Sequence, residues 1–249
     1  GPSFAQRYND ALAAVARARP DRFAAFAHLP TTVPEAAADE LERAVRDCGM
    51  RGALISGSIK GTFLDDPSFE PLLARAEKLD VPIYIHPGVP PEAVQAAYYA
   101  GYSAQVSSMF ATAGWGWHAE TAVHILRMVL SGTFDAHPRL KIIIGHMGEG
   151  LPTMLARCDD FLGQRITGLP RSVSQTILDH VTITTSGFFT LPPFLAALLT
   201  FGADRILFSV DYPFSNNAVA RAFLDALPVS PDDRVKIAHG NADRLLKLA

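Results

Sequence analysis

Three apolar runs in this chain each end on a side chain that can bind a metal or move a proton. VPIYI runs into His86, KIIIG into His146 and ILFSV into Asp211. Glu149 follows His146 by three residues in GHMGEG. Two imidazoles and a carboxylate converging on one point suit Zn²⁺, Mn²⁺ or a similar divalent ion. Each residue also has a plainer reading. A histidine closing a strand is often only hydrogen-bonded structure, and Glu149 alone reads as a helix-start carboxylate favoured by the dipole. Asp211 has the least bland alternative, because a carboxylate after such a run is costly to bury unless it is paired or metal-bound. Glu149 as a partner would fix the tautomer of His146 and raise its basicity. His28, in FAHLP, and His118, beside Trp117 and Glu120, are further candidates to face the same site. His124, His137, His180 and His239 read as structural. No G-x-S-x-G elbow supports a serine nucleophile.

Such residues need strands to carry them. The strand candidates are 23–30, 52–57, 81–88, 141–147, 181–188 and 206–212. Most are continuous apolar runs, the pattern of strands buried on both faces of a parallel sheet. Between them lie helix candidates at 35–48, 69–79, 119–130, 151–162 and 191–201. Pro34 or Ser68 stands at the start of some, and Gly49, Gly132, Gly163 or Gly202 lies just past the end of others. Strand–helix alternation implies βα units with right-handed crossovers. A (β/α)₈ barrel and an open doubly wound sheet both fit. No glycine-rich nucleotide motif follows any strand, and three reactive residues at three strand ends favour a barrel mouth. One connection is unusually long. Residues 89–118 show no strand pattern and carry six aromatics from Tyr98 to Trp117. Such a segment serves as a lid over a site or as an oligomer contact.

Composition narrows the function classes. The 249 residues carry 22 basic and 25 acidic side chains, a net charge of −3, and 49% of them are apolar. A globular domain with a sizeable core follows, and disorder is excluded. No basic block suggests nucleic acid, and no apolar run suggests a membrane span. The two cysteines, Cys48 and Cys158, read as small buried apolar residues and point to a reducing cytoplasm.

Several longer blocks resemble the amidohydrolase-related metal-dependent decarboxylases, particularly the γ-resorcylate and 2,3-dihydroxybenzoate group. The blocks are IYIHPG, GWGWHAETAVHILRMVLSG, FDAHPRLKIIIGHMGEGLPTMLARCD, TITTSGFF and GADRILFSVDYPF. The resemblance implies an amidohydrolase-type (β/α)₈ barrel with a divalent metal, Zn or Mn with Mg as a further option, in its mouth. His86 and Asp211 match metal ligands of this family. Asp211 also matches the general acid that protonates the ring carbon bearing the carboxylate. His146 matches the catalytic histidine and Glu149 its partner. His118, Trp117 and Phe189 are assigned to the wall that binds a small carboxylate substrate. A homodimer or homotetramer is expected.

Two departures from the family pattern stand out. The E-x-H or H-x-H pair of the family's first strand is missing, and six strands are counted rather than eight. About 75 further residues at the N-terminus would restore an ordinary barrel, so the chain reads as a partial barrel, with Gly1-Pro2 resembling a cleavage scar. Gly88 and Ser215 stand where the dihydroxybenzoate enzymes commonly carry an arginine and an acidic residue. The leading expectation is therefore a non-oxidative decarboxylase of a small aromatic hydroxy-carboxylate. A metal-dependent hydrolase of a lactone or amide is the alternative, and a truncated non-catalytic barrel the third reading.

Overall fold

A computed structural model describes residues 1–248. Its framework is one sheet of six parallel strands, each paired to the next in chain order. The strands are β1 (Ala27–His28), β2 (Ala53–Ser56), β3 (Ile83–His86), β4 (Ile142–Ile144), β5 (Val181–Thr184) and β6 (Ile206–Leu207). All six lie inside the segments expected from the sequence, and all are shorter. The ladder of 206–212 stops at Leu207; beyond it Phe208 N–H donates to Ile237 O at 2.9 Å instead. Residues 23–26 precede the ladder, with Phe23 half exposed.

The longer helices are α1 (Pro2–Ala18), α2 (Pro34–Arg46), α3 (Glu70–Leu79), α4 (Ala104–Ala111), α5 (Gly116–Leu130), α6 (Leu155–Phe161), α7 (Val173–His180), α8 (Leu191–Phe201), α9 (Asn217–Asp225) and α10 (Asn241–Leu246). Local chemistry explains their placement. In α2, Pro34 occupies the first turn with Glu35, and Arg43 and Arg46 close the last turn, the charge order that the helix dipole favours. Its buried stripe is Ala37, Ala38, Leu41 and Ala44, a helical repeat facing the sheet side. Ser68 does not cap α3. Asp66 takes that role for the 3₁₀ turn Pro67–Phe69, its side chain accepting from Ser68 N–H at 2.9 Å. The segment expected as one helix over 151–162 splits into a 3₁₀ turn, Leu151–Thr153, and α6. The 89–118 connection is helical in part, through α4 and a short turn over 92–99.

Alternation along β3 assigns the two faces of the sheet. Ile83 and Ile85 are fully buried in the main apolar core. Tyr84 and His86 point the other way. The Tyr84 hydroxyl meets Thr184 Oγ1 at 3.2 Å, two strands away on β5. A contact of that span requires a sheet curled toward this face. Gly145, just past β4, permits it, because a Cβ there would stand 3.0 Å from the Tyr84 oxygen. Thr184 bonds Ser186 at 2.6 Å, and Ser186 bonds Ser209 at 3.1 Å, which extends the polar layer toward β6. The result is the curled parallel sheet of an α/β barrel, with its reactive strand ends on one rim. Among the described residues, no helix is long and apolar enough to cross a membrane.

Candidate active site

His86 is the last residue of β3, and Ser56 closes the neighbouring β2 in register with it. The His86 Nδ1 atom lies 2.8 Å from Pro87 O. A carbonyl can only accept, so Nδ1 carries the proton and Nε2 presents its lone pair.

His146 follows β4 through Gly145, but not as a continuing strand. Residues 146 to 150 all take positive φ: His146 48°, Met147 55°, Gly148 82°, Glu149 56° and Gly150 80°. Three of these five are not glycine, and each such residue costs roughly 1–3 kcal/mol. The turn folds Glu149 back onto His146. Glu149 Oε1 accepts from His146 Nδ1 at 2.7 Å, so His146 Nε2 is again the free nitrogen. That nitrogen lies 4.0 Å from Asp211 Oδ2, beyond hydrogen-bond range. Asp211 itself sits past β6 in the left-handed region, at φ 67°.

His86, His146 and Asp211 thus offer three ligand atoms, all within 4.8 Å of one another. Two imidazole nitrogens and a carboxylate oxygen form a donor set suited to a divalent ion. Each imidazole is oriented by an acceptor on its other nitrogen, as metal-binding histidines usually are. The family resemblance assigns His146 to catalysis and only His86 and Asp211 to the metal; the geometry groups all three.

The wall residues fall differently from expectation. Trp117 does approach, its ring 6.3 Å from that of His86. Its indole Nε1 is buried without a hydrogen-bond partner among the described residues. Phe189 turns away and packs on Phe223 of α9 at 5.7 Å. Phe188 takes the place assigned to it, 5.3 Å from the His118 ring and 5.9 Å from the His146 ring. His118 has no ring nitrogen left to bind substrate. Its Nδ1 donates to Glu149 Oε2 at 2.5 Å, and its Nε2 faces Ala113 O at 3.2 Å. Burial works against a charge on His118, but Glu149 outweighs it and holds the pKa above the ordinary histidine range. His28 lies apart under α1, its ring packed on Phe4 and Tyr8. His124 and His180 are buried supports that bond Leu64 N–H and Leu140 O. A cavity of about 630 Å³ opens beside the His118–Glu149–His146 group, walled by Leu126, Met154 and Phe188.

Residues 2–248 match the family model described as Amidohydrolase. The chain belongs to the amidohydrolase family. A γ-resorcylate decarboxylase of Rhizobium radiobacter is 44% identical over 98% of this chain and 76% of its own length. The structure of 2,6-dihydroxybenzoate decarboxylase from Rhizobium superposes with a TM-score of 0.90 at 42% identity, covering 99% of this chain and 78% of that one. A dihydroxybenzoic acid decarboxylase from Polaromonas, solved with manganese and 2-nitroresorcinol, gives a TM-score of 0.89 at 38% identity, over 99% and 76% of the two chains. The family and the barrel-type fold expected from the sequence are therefore established. These relatives carry decarboxylase names, which gives the hydrolase alternative no support.

Proposed function

We propose that this protein is a metal-dependent, non-oxidative decarboxylase of a small aromatic carboxylate bearing an ortho-hydroxyl group. The observation that carries the reading is the convergence of His86 Nε2, His146 Nε2 and the Asp211 carboxylate, with both Nδ1 protons already committed. His86 and Asp211 would hold the ion, and His146 stands beside them with Nε2 facing Asp211. A divalent ion there would bind the substrate carboxylate and hydroxyl and withdraw charge from them. Manganese is favoured over zinc, since manganese is the ion named in the Polaromonas structure.

The chain's own groups handle the proton. Asp211 in its acid form delivers a proton to the ring carbon that bears the carboxylate. The carbon–carbon bond then breaks, its electron pair returns to the ring, and CO₂ leaves as aromaticity is restored. His146 Nε2, facing Asp211, relays protons to and from that carboxyl, and Glu149 steadies the imidazole from behind. Trp117 and Phe188 supply apolar walls that exclude water around the ring. Gly88 and Ser215 mark the wall where a substrate preference different from the dihydroxybenzoates would arise.

The exposed aromatics of residues 89–118 are assigned to a contact between copies, giving a homodimer or homotetramer. The free Cys48 and Cys158 suit a reducing, cytoplasmic setting. The function is tested by CO₂ release from a panel of hydroxybenzoates, before and after chelation and with Mn²⁺ restored. Chelation should abolish release and Mn²⁺ should recover it. Failure of the metal-loaded protein to release CO₂ from any aromatic carboxylate would overturn the reading.

A further inference from the structure

Glu149 divides its two oxygens between two histidines. Oε1 takes the His146 proton at 2.7 Å and Oε2 the His118 proton at 2.5 Å. The carboxylate side chain is wholly buried. With Oε2 unpaired, that buried oxygen would carry the desolvation penalty of an unsatisfied charged group, and the carboxylate would be free to rotate away from His146. His118 removes both problems at once.

His118 is itself held firmly. Ala113 O fixes its second nitrogen, while the rings of His146 and Phe188 pack edge-on at 4.9 and 5.3 Å. It stands in the first turn of α5, where the 89–118 connection returns to the barrel. The start of α5 lies hard against the end of α4. A Cβ on Gly116 would stand 2.2 Å from Ala111 O, so only glycine allows the approach. The seating of the connection therefore decides whether His118 reaches Glu149.

His118, His146 and Glu149 are also close enough to suggest a second metal cluster. The hydrogen-bond geometry argues otherwise. Each Nδ1 sits at hydrogen-bond distance from a different oxygen of one carboxylate, which is N–H donation. Metal ligation would need the lone pairs of both nitrogens aimed at one ion, at about 2.0–2.1 Å.

We infer that His118 is a positioning residue: by gripping Glu149 Oε2 it holds the carboxylate in the plane that keeps the His146 proton on Nδ1 and Nε2 aimed at Asp211. It also makes the catalytic imidazole sensitive to the seating of residues 89–118. Only the kinetic consequence rests on the decarboxylase reading.

Proton NMR of the full chain labelled with ¹⁵N-histidine, without added metal, tests the grip directly. The unmutated protein should show protected Nδ1–H protons assigned to both His118 and His146, beside those of the buried His124 and His180. In His118→Ala, exchange of the His146 proton with water should accelerate by about 10-fold or more, the factor that loss of one hydrogen bond to a charged group corresponds to. His118→Gln, whose amide can donate to Glu149, should restore most of the protection. Absence of a protected Nδ1–H proton assigned to His118 or to His146 in the unmutated chain would overturn the inference, and that outcome needs no variant to fold. Equal protection of His146 in His118→Ala would also overturn it. In turnover assays His118→Ala should lower kcat by about 10- to 100-fold with KM little changed, and His118→Gln should recover kcat. An unchanged kcat would remove the positioning role. If the unmutated protein shows both protons but no turnover, the decarboxylase reading fails while the grip stands.

Discussion

Asp211 combines the chemistry of an acid with a backbone at φ 67°. Among non-glycine residues, asparagine and aspartate tolerate that region best. Asp211→Asn therefore keeps the loop's shape while removing both the proton and the charge of a metal ligand, and bound Mn²⁺ measured alongside separates the two roles. CO₂ release should fall by on the order of 10²–10⁴-fold, the usual share of general acid catalysis, with circular dichroism and thermal midpoint unchanged. An active Asp211→Asn protein would refute its proton role. His86, His146 and Asp211 were legible in the sequence because each interrupts an apolar run where a strand must end. The wall residues were less so. Gly187 takes φ 71° just before the two phenylalanines, and this turn sets which ring faces the imidazoles. Counting from β5 cannot reveal it, which is why the sequence points to Phe189 where Phe188 stands. The sequence points to His118 as a wall residue; its partner in the structure, Glu149, depends on a left-handed turn that no residue pattern announces.

At the scale of elements, α5 carries a second buried histidine with a different duty. His124 Nε2 accepts from Leu64 N–H at 3.0 Å, tying the loop after β2 to the helix. Burial pushes its pKa down to about 4. The sign follows from comparing folded and unfolded chains. Above about pH 6.5 both hold His124 neutral, and the full stability is present. As pH falls, the unfolded chain takes up the proton first, so stability drops progressively until about pH 4 is passed. The shift corresponds to roughly 3 kcal/mol across that window. Urea unfolding at pH 7.5, 6 and 4.5 should show a decline that is shallower in His124→Gln. Equal slopes would show that His124 is not the group responsible. The strands were legible because runs such as Ile142–Ile144 can only be buried on both sides. Their exact ladders were not, since a ladder needs a partner as well as a pattern. The helices expected from the sequence do not include α1, α4, α7, α9 or α10, and α7 runs without a break into β5 at Val181, where no Gly or Pro marks the change.

The whole molecule exposes an aromatic and apolar surface along residues 89–118. Tyr98, Tyr102 and Trp115 are each at least 60% exposed, with Val106 and Met109 beside them. This is the surface that the proposed contact between copies would cover. Sedimentation should find a dimer or tetramer, and Tyr98→Glu with Tyr102→Glu should shift it to monomer. A monomeric unmutated chain would overturn the assignment of this surface. The strand order carries a separate consequence. Every strand pairs with the one that precedes it in the chain. No strand has to be inserted between two that are already in place. The sheet can therefore grow by accretion, each βα unit docking on the last as it leaves the ribosome. Only the concave face departs from this sequence of events. The Tyr84–Thr184 contact joins residues 100 apart, and the reactive rim is complete only once Asp211 has emerged. The scaffold is assembled early and locally, while the chemistry arrives last.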